Sequence, residues 1–549
     1  MQIYGDKLFH QPIDKIVAFD EESFKNSFEL IEKYKRDKKY LLGYIRYEAK
    51  NIFLGKQYKS KRPLLYFEVF EDYEDYNPQK HNIELHPYVN PLISKKRYVK
   101  DIEKIKKYIS EGITYEVNYT YPSEVFVNKG SMDLYETLLQ NQKTPYNTYI
   151  KNEYETLLSF SPELFFRIDG NKITTKPMKG TVKRGLTKEE DEENIRFLAS
   201  DEKNRAENVM IVDLLRNDLS RIAKTGTVKV EKLFEIETHK TVHQMTSTIS
   251  AELLENTTLY NIFESIFPCG SITGAPKIST MHVIDELEPF ERGIYCGAIG
   301  LISPEEIVFS VPIRILVSSK NGYVCNTGGA IVWDSDALDE WEETVVKRKF
   351  LGEIQNIHLI ETMKSENGKI LFLKEHIDRL KNSAQILGFE FDESLYELIP
   401  EKDGIVRIVL SKDGRTDITY KKLGENLTNK IRFSDITTDS KNMFLYHKTD
   451  FRPYYERSMS FIKNGEIYDE IFMNEKGEVT EGARSNIVIE KEGVLYTPPI
   501  SVGILNGVYR QSILDKVEER VLYKEDILNA DKIFCVNSVR GMVEVELCL

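Results

Sequence analysis

The chain reads PMKGT at residues 177–181, and this stretch stands at the centre of an ordered series of short motifs. The others are SPE at 161–163, RAENVMIVDLLRND at 205–218, GSITGAPK at 270–277 and EWEET at 340–344. By itself PMKGT predicts only a strand that enters a turn. Its place between the other motifs makes Lys179 a candidate functional residue.

Hydrophobic periodicity predicts alternating helices and strands around these motifs. Helices are predicted at 98–112 and 208–223. Strands are predicted at 64–70 and 307–317, the latter paired with 322–326. The pattern restarts after residue 353, which predicts a domain boundary near 350–356 with almost no linker.

The composition is that of a globular protein with more than one hydrophobic core. The chain has 549 residues, of which 41% are hydrophobic and 30% charged, and this length exceeds what one core holds. A net charge of −13 argues against nucleic-acid and anionic-membrane partners. Five cysteines without a C-x-x-C pair predict a reducing, cytoplasmic location. We find no signal-peptide pattern and no apolar run long enough to span a bilayer.

The five motifs, over roughly residues 40–350, resemble those of the chorismate-utilising enzymes. This family includes anthranilate, aminodeoxychorismate, isochorismate and salicylate synthases. The resemblance implies an α+β domain at 1–352, similar to component I of anthranilate synthase, with large β-sheets and surrounding helices. Relatives usually carry a small apolar residue where Lys179 stands, and a lysine there resembles the members that aminate chorismate to 4-amino-4-deoxychorismate with ammonia.

The resemblance also assigns the chemistry to particular residues. Lys179 is expected to be the nucleophile, Glu163 the general acid and base, and His243 the histidine beside the substrate. Because only a neutral amine attacks, we expect the pKa of Lys179 to be lowered by a metal ion and nearby cations. The implied substrate-binding residues are Thr273, Gly274, Ala275, Tyr295, Arg314, Gly328 and Lys347.

Acidic residues at helical spacing suggest a metal site. Glu340 and Glu343 are three residues apart on a predicted helix, and Lys347 follows four residues later, so the three share a face. Such a face can simply be solvated, but paired carboxylates also suit Mg²⁺. The resemblance favours the ion, which Glu340 and Glu343 would hold together with Glu207 against a carboxylate of chorismate.

A second series of motifs resembles the fold-type IV pyridoxal-phosphate enzymes, which include class IV aminotransferases and aminodeoxychorismate lyase. These motifs are ETM at 361–363, HIDRL at 376–380, HKT at 447–449, EGARSN at 481–486 and NSVRG at 537–541. The resemblance implies a two-subdomain α/β domain at 357–549 that binds pyridoxal 5′-phosphate. Lys448 would bond the cofactor and transfer protons, and Glu481 would pair with its pyridine nitrogen. Arg379, Val508 and Tyr509 would hold its phosphate.

Together the two resemblances imply amination of chorismate followed by elimination of pyruvate to give p-aminobenzoate for folate synthesis. Cys269 and Cys296 lie inside the first series of motifs and are not arranged as a glutaminase nucleophile. We therefore expect ammonia from a separate glutamine amidotransferase subunit. A homodimer through the second domain is also expected, because fold-type IV enzymes commonly share sites between subunits.

Two alternatives remain open at this level. One is an anthranilate synthase component I-like domain fused to a class IV aminotransferase. The other is a non-catalytic chorismate-binding scaffold. Lys448 and Glu481 serve lyases and transaminases alike, so these two residues do not separate the second activities.

Overall fold

The chain folds into two units, Met1–Ile354 and Gln355–Leu549. The computed structural model describes residues 1–80, 85, 87–127, 129–142, 144–185, 187–238, 242–320, 322–352, 356–452 and 454–548. Residues 353–355, which belong to the boundary expected from the sequence, lie outside this described part.

The first unit is built from long antiparallel strands with helices between them. Its strands are β1 (Gln2–Tyr4), β2 (Lys7–Phe9), β3 (Asp14–Ala18), β4 (Tyr40–Ile45), β5 (Leu65–Phe70), β6 (Glu74–Asp75), β7 (Tyr88–Pro91), β8 (Glu116–Phe126), β9 (Tyr146–Lys151), β10 (Thr156–Ser161), β11 (Leu164–Asp169), β12 (Lys172–Lys176), β13 (Met178–Lys183), β14 (Lys229–Thr238), β15 (Val242–Glu252), β16 (Gly274–Ala275), β17 (Ala298–Ile302), β18 (Ile307–Ser310), β19 (Ile315–Ser319) and β20 (Gly322–Ile331). Its helices are α1 (Glu21–Arg36), α2 (Lys50–Phe53), α3 (Lys95–Ser110), α4 (Ser131–Asn141), α5 (Lys188–Ser200), α6 (Glu202–Ser220), α7 (Leu259–Ile266), α8 (Lys277–Leu287) and α9 (Ala337–Lys347).

Within the described residues, these strands form two ten-stranded sheets. The first runs β16-β8-β20-β19-β10-β9-β1-β2-β6, with β7 paired to β8. The second runs β13-β15-β12-β11-β18-β17-β4-β5-β3, with β14 paired to β15. Aliphatic and aromatic residues from both sheets bury a shared core, to which Phe166, Ile249 and Ile315 belong. The α+β class inferred from the sequence is confirmed.

Two local predictions for this unit need correction. The stretch predicted as one strand at 307–317 is interrupted after Ser310, and its halves β18 and β19 enter different sheets. The helix predicted at 208–223 begins earlier, at Glu202, because Asp201 caps it by accepting from the backbone amide of Asn204. Val209, an apolar residue of this helix, is 39% exposed.

The second unit contains two further sheets. Its strands are β21 (Leu359–Glu366), β22 (Lys369–Ile370), β23 (Gly404–Leu410), β24 (Thr416–Lys421), β25 (Lys430–Thr438), β26 (Asp469–Asn474), β27 (Val479–Gly482), β28 (Asn486–Lys491), β29 (Val494–Thr497), β30 (Glu518–Glu519), β31 (Lys532–Asn537) and β32 (Gly541–Leu547). Its helices are α10 (Leu373–Leu387), α11 (Glu456–Lys463), α12 (Val508–Ser512) and α13 (Lys524–Leu528). In the described part, four strands form the sheet β22-β21-β23-β24, and eight form β27-β26-β25-β32-β31-β28-β29-β30.

Candidate active sites

Lys179 is turned into the first unit by an irregularity in its strand. Strand β13 pairs with β15, but the register shifts between Met178 and Thr181. Gly180 has φ +84, a conformation that side chains other than glycine adopt only under strain. As a result the residue Lys179 is only 8% exposed, although β13 is the last strand of its sheet.

The amine of Lys179 meets a buried carboxylate from the other sheet. Its Nζ donates to Oε1 of Glu116 at 2.6 Å, and Glu116 is completely buried. Burial by itself lowers the pKa of Lys179, but attraction to Glu116 and then Glu207 offsets burial and leaves the pKa above its ordinary value. The protein groups nearest to this amine are therefore acids rather than the cations expected from the sequence.

Glu163 lies beside this pair and has the properties of a proton donor. Its Oε1 accepts a 2.6 Å hydrogen bond from Oγ of Ser271, and its carboxyl also accepts from the backbone amide of Met178. Burial raises the pKa of Glu163 to about 7. A carboxyl that titrates near neutral pH can both give and take a proton during turnover.

The predicted substrate loop forms part of the wall around Glu116. Ala275 of β16 pairs with Glu116 of β8, and Gly274 pairs with Val117. Gly274 has φ +129, and a Cβ there would lie 1.9 Å from the backbone oxygen of Glu116. Oγ1 of Thr273 donates back to the carbonyl oxygens of Cys269 and Gly270, each at 3.1 Å. The tight backbone contact holds Glu116 in place.

A second group of predicted residues lies between helix α9 and strand β20. Within it, Lys347 contacts both Gly328 and Glu343. Nζ of Lys347 donates to the backbone oxygen of Gly328 at 2.9 Å and pairs with Oε1 of Glu343 at 2.6 Å. Oε1 of Glu340 accepts from Oγ of Ser335 at 2.7 Å. Helix α9 thus presents Glu340, Glu343 and Lys347 toward strand β20, as their spacing predicts.

The carboxylates proposed for Mg²⁺ fit a cation by their chemistry. Burial raises the pKa of Glu207 to about 7, and the charges of Glu116 and Glu340 add to the shift. Burial likewise raises the pKa of Glu340, and the charge of Glu343 adds to it. A bound cation would relieve this repulsion. In the described ranges, however, no three His, Cys, Asp or Glu side chains converge closely enough to hold an ion.

Arg314 carries a half-buried guanidinium that forms no hydrogen bond or ion pair with any described residue. Its backbone has φ +55, between the two halves of the interrupted strand. Burial lowers the pKa of Arg314, since no acidic group compensates. Tyr295 is buried as well, and burial raises its pKa well above the ordinary value. An unpaired, partly desolvated cation is suited to bind a carboxylate.

Among the described residues, His243 forms its side-chain hydrogen bonds with partners other than Lys179 and Glu163. Its Nε2 lies 2.9 Å from Oδ1 of Asp191, and its Nδ1 lies 2.9 Å from Oγ1 of Thr238. Both ring nitrogens therefore have partners within the protein. A catalytic role for His243 stays a prediction that would require these contacts to break.

In the second unit, Lys448 directly precedes a short bridge that ties its segment to β21. The backbone oxygen of Lys448 accepts from the amide of Ile360 at 2.9 Å, and Thr449 pairs with Leu359. Burial, followed by repulsion from Arg452 and Arg379, lowers the pKa of Lys448 to about 7. An amine that is largely neutral at physiological pH can attack a carbonyl, which is the property that a pyridoxal-phosphate lysine needs.

Glu481 is held by several donors from different parts of the second unit. Its Oε2 accepts from Nδ2 of Asn486 and the amide of Leu505, each at 3.1 Å, and its Oε1 accepts from the hydroxyl of Tyr455 at 3.1 Å. Arg452 forms a longer ion pair with Oε1, at 3.5 Å. Burial raises the pKa of Glu481 to about 7. The carboxyl is therefore fixed in orientation and able to share a proton with a ring nitrogen.

Arg379 is oriented by an acidic partner, Glu361, and by a hydrogen bond to the turn before α12. It forms a bidentate pair with Glu361, at 2.8 and 2.6 Å, and its third nitrogen donates to the backbone oxygen of Asn506 at 3.1 Å. Nδ1 of His376 lies 2.6 Å from the same carboxylate, while its Nε2 is buried without a partner in the described residues. Arg379 is thereby placed at the turn that leads into α12.

Val508 and Tyr509, both expected at the phosphate, lie in the first turn of α12. The helix follows Gly507, where a Cβ would lie 2.0 Å from Oδ1 of Asn486. The ring of Tyr509 contacts Phe372 edge to face, with centroids 6.3 Å apart. The amides of this turn lie next to Asn506, the residue that binds Arg379.

Several contacts were not anticipated from the motifs. Glu116, Arg452 and Tyr455 received no functional role, although each touches a predicted catalytic residue or its partner. A signal for Glu116 exists in the sequence, where polar residues at 116, 118 and 120 alternate with apolar ones. Such alternation predicts a polar face on a strand, but it does not reveal what the face contacts.

Comparison with known proteins agrees with this arrangement. Residues 68–353 match the model of the chorismate binding enzyme family, and residues 358–548 match that of the class IV amino-transferases. The chain is 43% identical over 252 residues to aminodeoxychorismate synthase of Streptomyces griseus, covering 46% of this chain and 35% of that protein. It is 38% identical over 256 residues to aminodeoxychorismate synthase component 1 of Escherichia coli K12, covering 46% of this chain and 56% of that protein.

The chain thus spans less than two thirds of the length of these two relatives. Among solved structures, anthranilate synthase component I from Streptococcus pneumoniae TIGR4 matches with a TM-score of 0.55 at 23% identity, over 63% of this chain and 91% of that one. This likeness shows a shared fold. None of the helices in the described residues combines the length and apolar character needed to cross a membrane. With more than half of its length matched, the chain belongs to the chorismate binding enzyme family, and it carries a class IV amino-transferase unit after it.

Proposed function

We propose that the first unit aminates chorismate to 4-amino-4-deoxychorismate and that the second converts this product to p-aminobenzoate and pyruvate. The observation that carries the proposal is the buried amine of Lys179 beside Glu163. A direct amination at C2, as in anthranilate formation, has no use for an amine at this place. The matches to aminodeoxychorismate synthases support the same reading.

In the first reaction, Lys179 acts as the nucleophile and Glu163 as the general acid and base. The neutral amine of Lys179 attacks C2 of the ring, both conjugated ring double bonds shift, and the C4 hydroxyl leaves as water with a proton from Glu163. Ammonia then attacks C4, both double bonds shift back, and Lys179 leaves C2 as an amine. The Glu163 carboxylate takes a proton from the new ammonium group at C4, which returns the pair to its starting state.

The substrate brings two carboxylates, and the first unit offers cations and donors for them. Arg314 supplies a guanidinium without a partner in the described residues, and Tyr295 and Lys347 complete the proposed set. Glu207, Glu340 and Glu343 would hold Mg²⁺, which neutralises a carboxylate and polarises the ring. Closer convergence of these glutamates, with release of Lys347 from Glu343, would be needed for a shared ion.

In the second reaction, the residues around Lys448 fit pyridoxal 5′-phosphate. Nε2 of His376 is buried and has no partner among the described residues, and the pKa of the buried amine of Lys448 is lowered to about 7, so both are groups that a ligand would satisfy. When bound, pyridoxal 5′-phosphate supplies an electron sink that acidifies the C4 proton of the substrate. Lys448 takes that proton, enolpyruvate leaves from C3, and the ring becomes aromatic. Glu481 would hold the pyridine nitrogen, and Arg379 with the amides of Val508 and Tyr509 would hold the phosphate.

Ammonia would come from a separate glutamine amidotransferase subunit. Burial raises the pKa of both Cys269 and Cys296 to about 12, which is the opposite of what a nucleophilic cysteine requires. The name component 1 in the Escherichia coli relative also fits an enzyme with a partner. A homodimer through the second unit and a cytoplasmic location belong to the same proposal.

Product analysis tests both halves together. The protein is incubated with chorismate, ammonium, Mg²⁺ and pyridoxal 5′-phosphate, and the products are separated by chromatography. We expect p-aminobenzoate and pyruvate in equal amounts, and we expect Lys179→Ala to abolish both. Accumulation of 4-amino-4-deoxychorismate would remove the lyase assignment and leave an aminotransferase. Anthranilate as the product would overturn the role of Lys179.

A further inference from the structure

Glu116 is a buried acid to which the proposed mechanism gives no task. It lies at the start of β8, and its carboxylate accepts the 2.6 Å hydrogen bond from Lys179. Its second oxygen, Oε2, is also buried and has no partner among the described residues. One oxygen of this acid therefore holds the amine, and the other makes no compensating hydrogen bond in that part of the chain.

The fold holds Glu116 in place from two directions. Its backbone pairs with Ala275 in β16, and its carbonyl oxygen accepts from Oγ1 of Thr114 at 3.0 Å. The close approach of Gly274 leaves no room for the strand to shift. Lys179 comes from a different sheet, 63 residues later in the chain. The contact is thus built by tertiary structure and does not depend on flexible ends of exposed side chains.

Other acids around Lys179 are less suited to take its proton. Glu163 already accepts from Ser271 and from the amide of Met178, and its task is to serve the leaving hydroxyl. Glu207 and Glu343 act on Lys179 through their charges, and neither forms a hydrogen bond to its amine in the described structure. Glu116 alone of these four described acids is in direct contact with the nitrogen that must attack.

We propose that Glu116 is the proton acceptor that converts the ammonium of Lys179 into the attacking amine. This inference rests on the proposed function of the first unit. The proton passes from Nζ of Lys179 to Oε1 of Glu116, which turns a buried ion pair into two neutral groups. Moving a proton from an ammonium to a carboxylate is unfavourable in water. Inside the protein, the removal of two buried charges offsets part of this free-energy cost, because a low-dielectric interior disfavours ions. When ammonia displaces Lys179 from C2, the free amine takes the same proton back from Glu116.

Glu116→Gln tests the proposal because glutamine keeps an oxygen that accepts from Lys179 but cannot take its proton. At pH 7 we expect kcat for 4-amino-4-deoxychorismate formation to fall roughly 100-fold, with recovery as the pH rises. At higher pH, solvent takes the proton of Lys179 in place of the missing carboxylate. A wild-type rate and pH profile in this variant would overturn the proposal while leaving the proposed function intact. A wild-type protein that forms no 4-amino-4-deoxychorismate would overturn both.

A second measurement follows Lys179 without using its reaction. The protein is treated with acetic anhydride at a series of pH values, and acetylation of Lys179 is read by peptide mass spectrometry. We expect Lys179 in Glu116→Gln to react about tenfold more slowly at pH 7, because the neutral amine that forms when Glu116 takes the proton attacks acetic anhydride as it attacks chorismate. Asp218→Asn, which removes the buried partner of Lys277, is the matched control and leaves the labelling of Lys179 unchanged. Equal or faster labelling in Glu116→Gln would contradict the proposal.

Glu116→Asp is a second variant that tests the proposal even if Glu116→Gln does not fold. Aspartate keeps the base but withdraws it from the amine by about one carbon–carbon bond. We expect a reduced kcat with the wild-type pH profile. A pH profile like that of Glu116→Gln would contradict the assignment of the proton to this carboxylate.

Discussion

Arg314 offers a prediction in which binding and stability respond in opposite directions. Its guanidinium is half buried, burial lowers its pKa, and it forms no hydrogen bond or ion pair with a described residue. The free protein therefore carries a desolvated cation without compensation. Arg314→Met keeps the length of the side chain and its Cβ, so that the cost of the backbone at φ +55 is unchanged. The substitution should leave the free energy of unfolding equal to wild type or slightly higher.

The loss should appear in substrate binding. Hydrogen bonds to a charged group contribute about 1.5–3 kcal/mol each when the partner is present. If Arg314 binds a carboxylate of chorismate, its removal should raise KM by roughly 10- to 150-fold, since every 1.4 kcal/mol is a factor of about ten. Arg314→Lys keeps the charge but not the fork geometry and should give an intermediate KM.

The assay combines initial rates at saturating ammonium with urea unfolding of the same preparations. Arg46→Met is a matched control, because Arg46 is also buried but forms an ion pair with Glu155 and donates to the carbonyl of Pro63. That control should lose about 3–5 kcal/mol of stability. Unchanged KM in Arg314→Met, or a loss of stability as large as in Arg46→Met, would refute the reasoning.

Three further predictions follow from the same contacts. Burial raises the pKa of Glu163 from 4.5 to about 7. Between these pH values the folded protein binds more protons than the unfolded chain. The free energy of unfolding therefore falls as the pH rises through this window. Urea unfolding at pH 5 and pH 8 should show that Glu163→Gln removes about 3 kcal/mol of this dependence; an unchanged slope would contradict the assignment. Lys448, with a pKa lowered to about 7, should be acetylated in the cofactor-free protein with a midpoint near pH 7, and a midpoint near that of surface lysines would show that it is solvated. Gly274→Ala should prevent folding or lower the urea midpoint sharply, because a Cβ would lie 1.9 Å from the backbone oxygen of Glu116, whereas Gly5→Ala, with open space around it, should lose only about 1 kcal/mol; equal losses would argue against the close contact.

Local patterns in the sequence were sufficient for many elements of this protein. The spacing of Glu340, Glu343 and Lys347 predicts their shared face on α9, because a helix brings every third and fourth residue together. The strand predicted at 64–70 is present as β5, and the helix predicted at 98–112 is present as α3. These features depend on neighbours within a few residues, and the chain carries that information directly.

Other features depend on how distant segments pair. The split of the strand predicted at 307–317 follows from its two halves joining different sheets, which no periodicity within the stretch reveals. His243 has two partners, Asp191 and Thr238. The packing of α5 places Asp191, and the pairing of β14 with β15 places Thr238. A histidine can be recognised in a sequence, but the atoms that its ring nitrogens contact cannot.

By itself, the sequence determined the residue types available for chemistry, their order along the chain, and the two families that they resemble. The tertiary structure decided their charge states. The pKa of Lys179 is raised because a strand from the other sheet places Glu116 against it, and the pKa of Lys448 is lowered by burial and then by the charges of Arg452 and Arg379. A lysine has the same intrinsic chemistry at both positions. Burial and the sign of the nearest charges, which only the folded chain fixes, therefore shift the two pKa values in opposite directions.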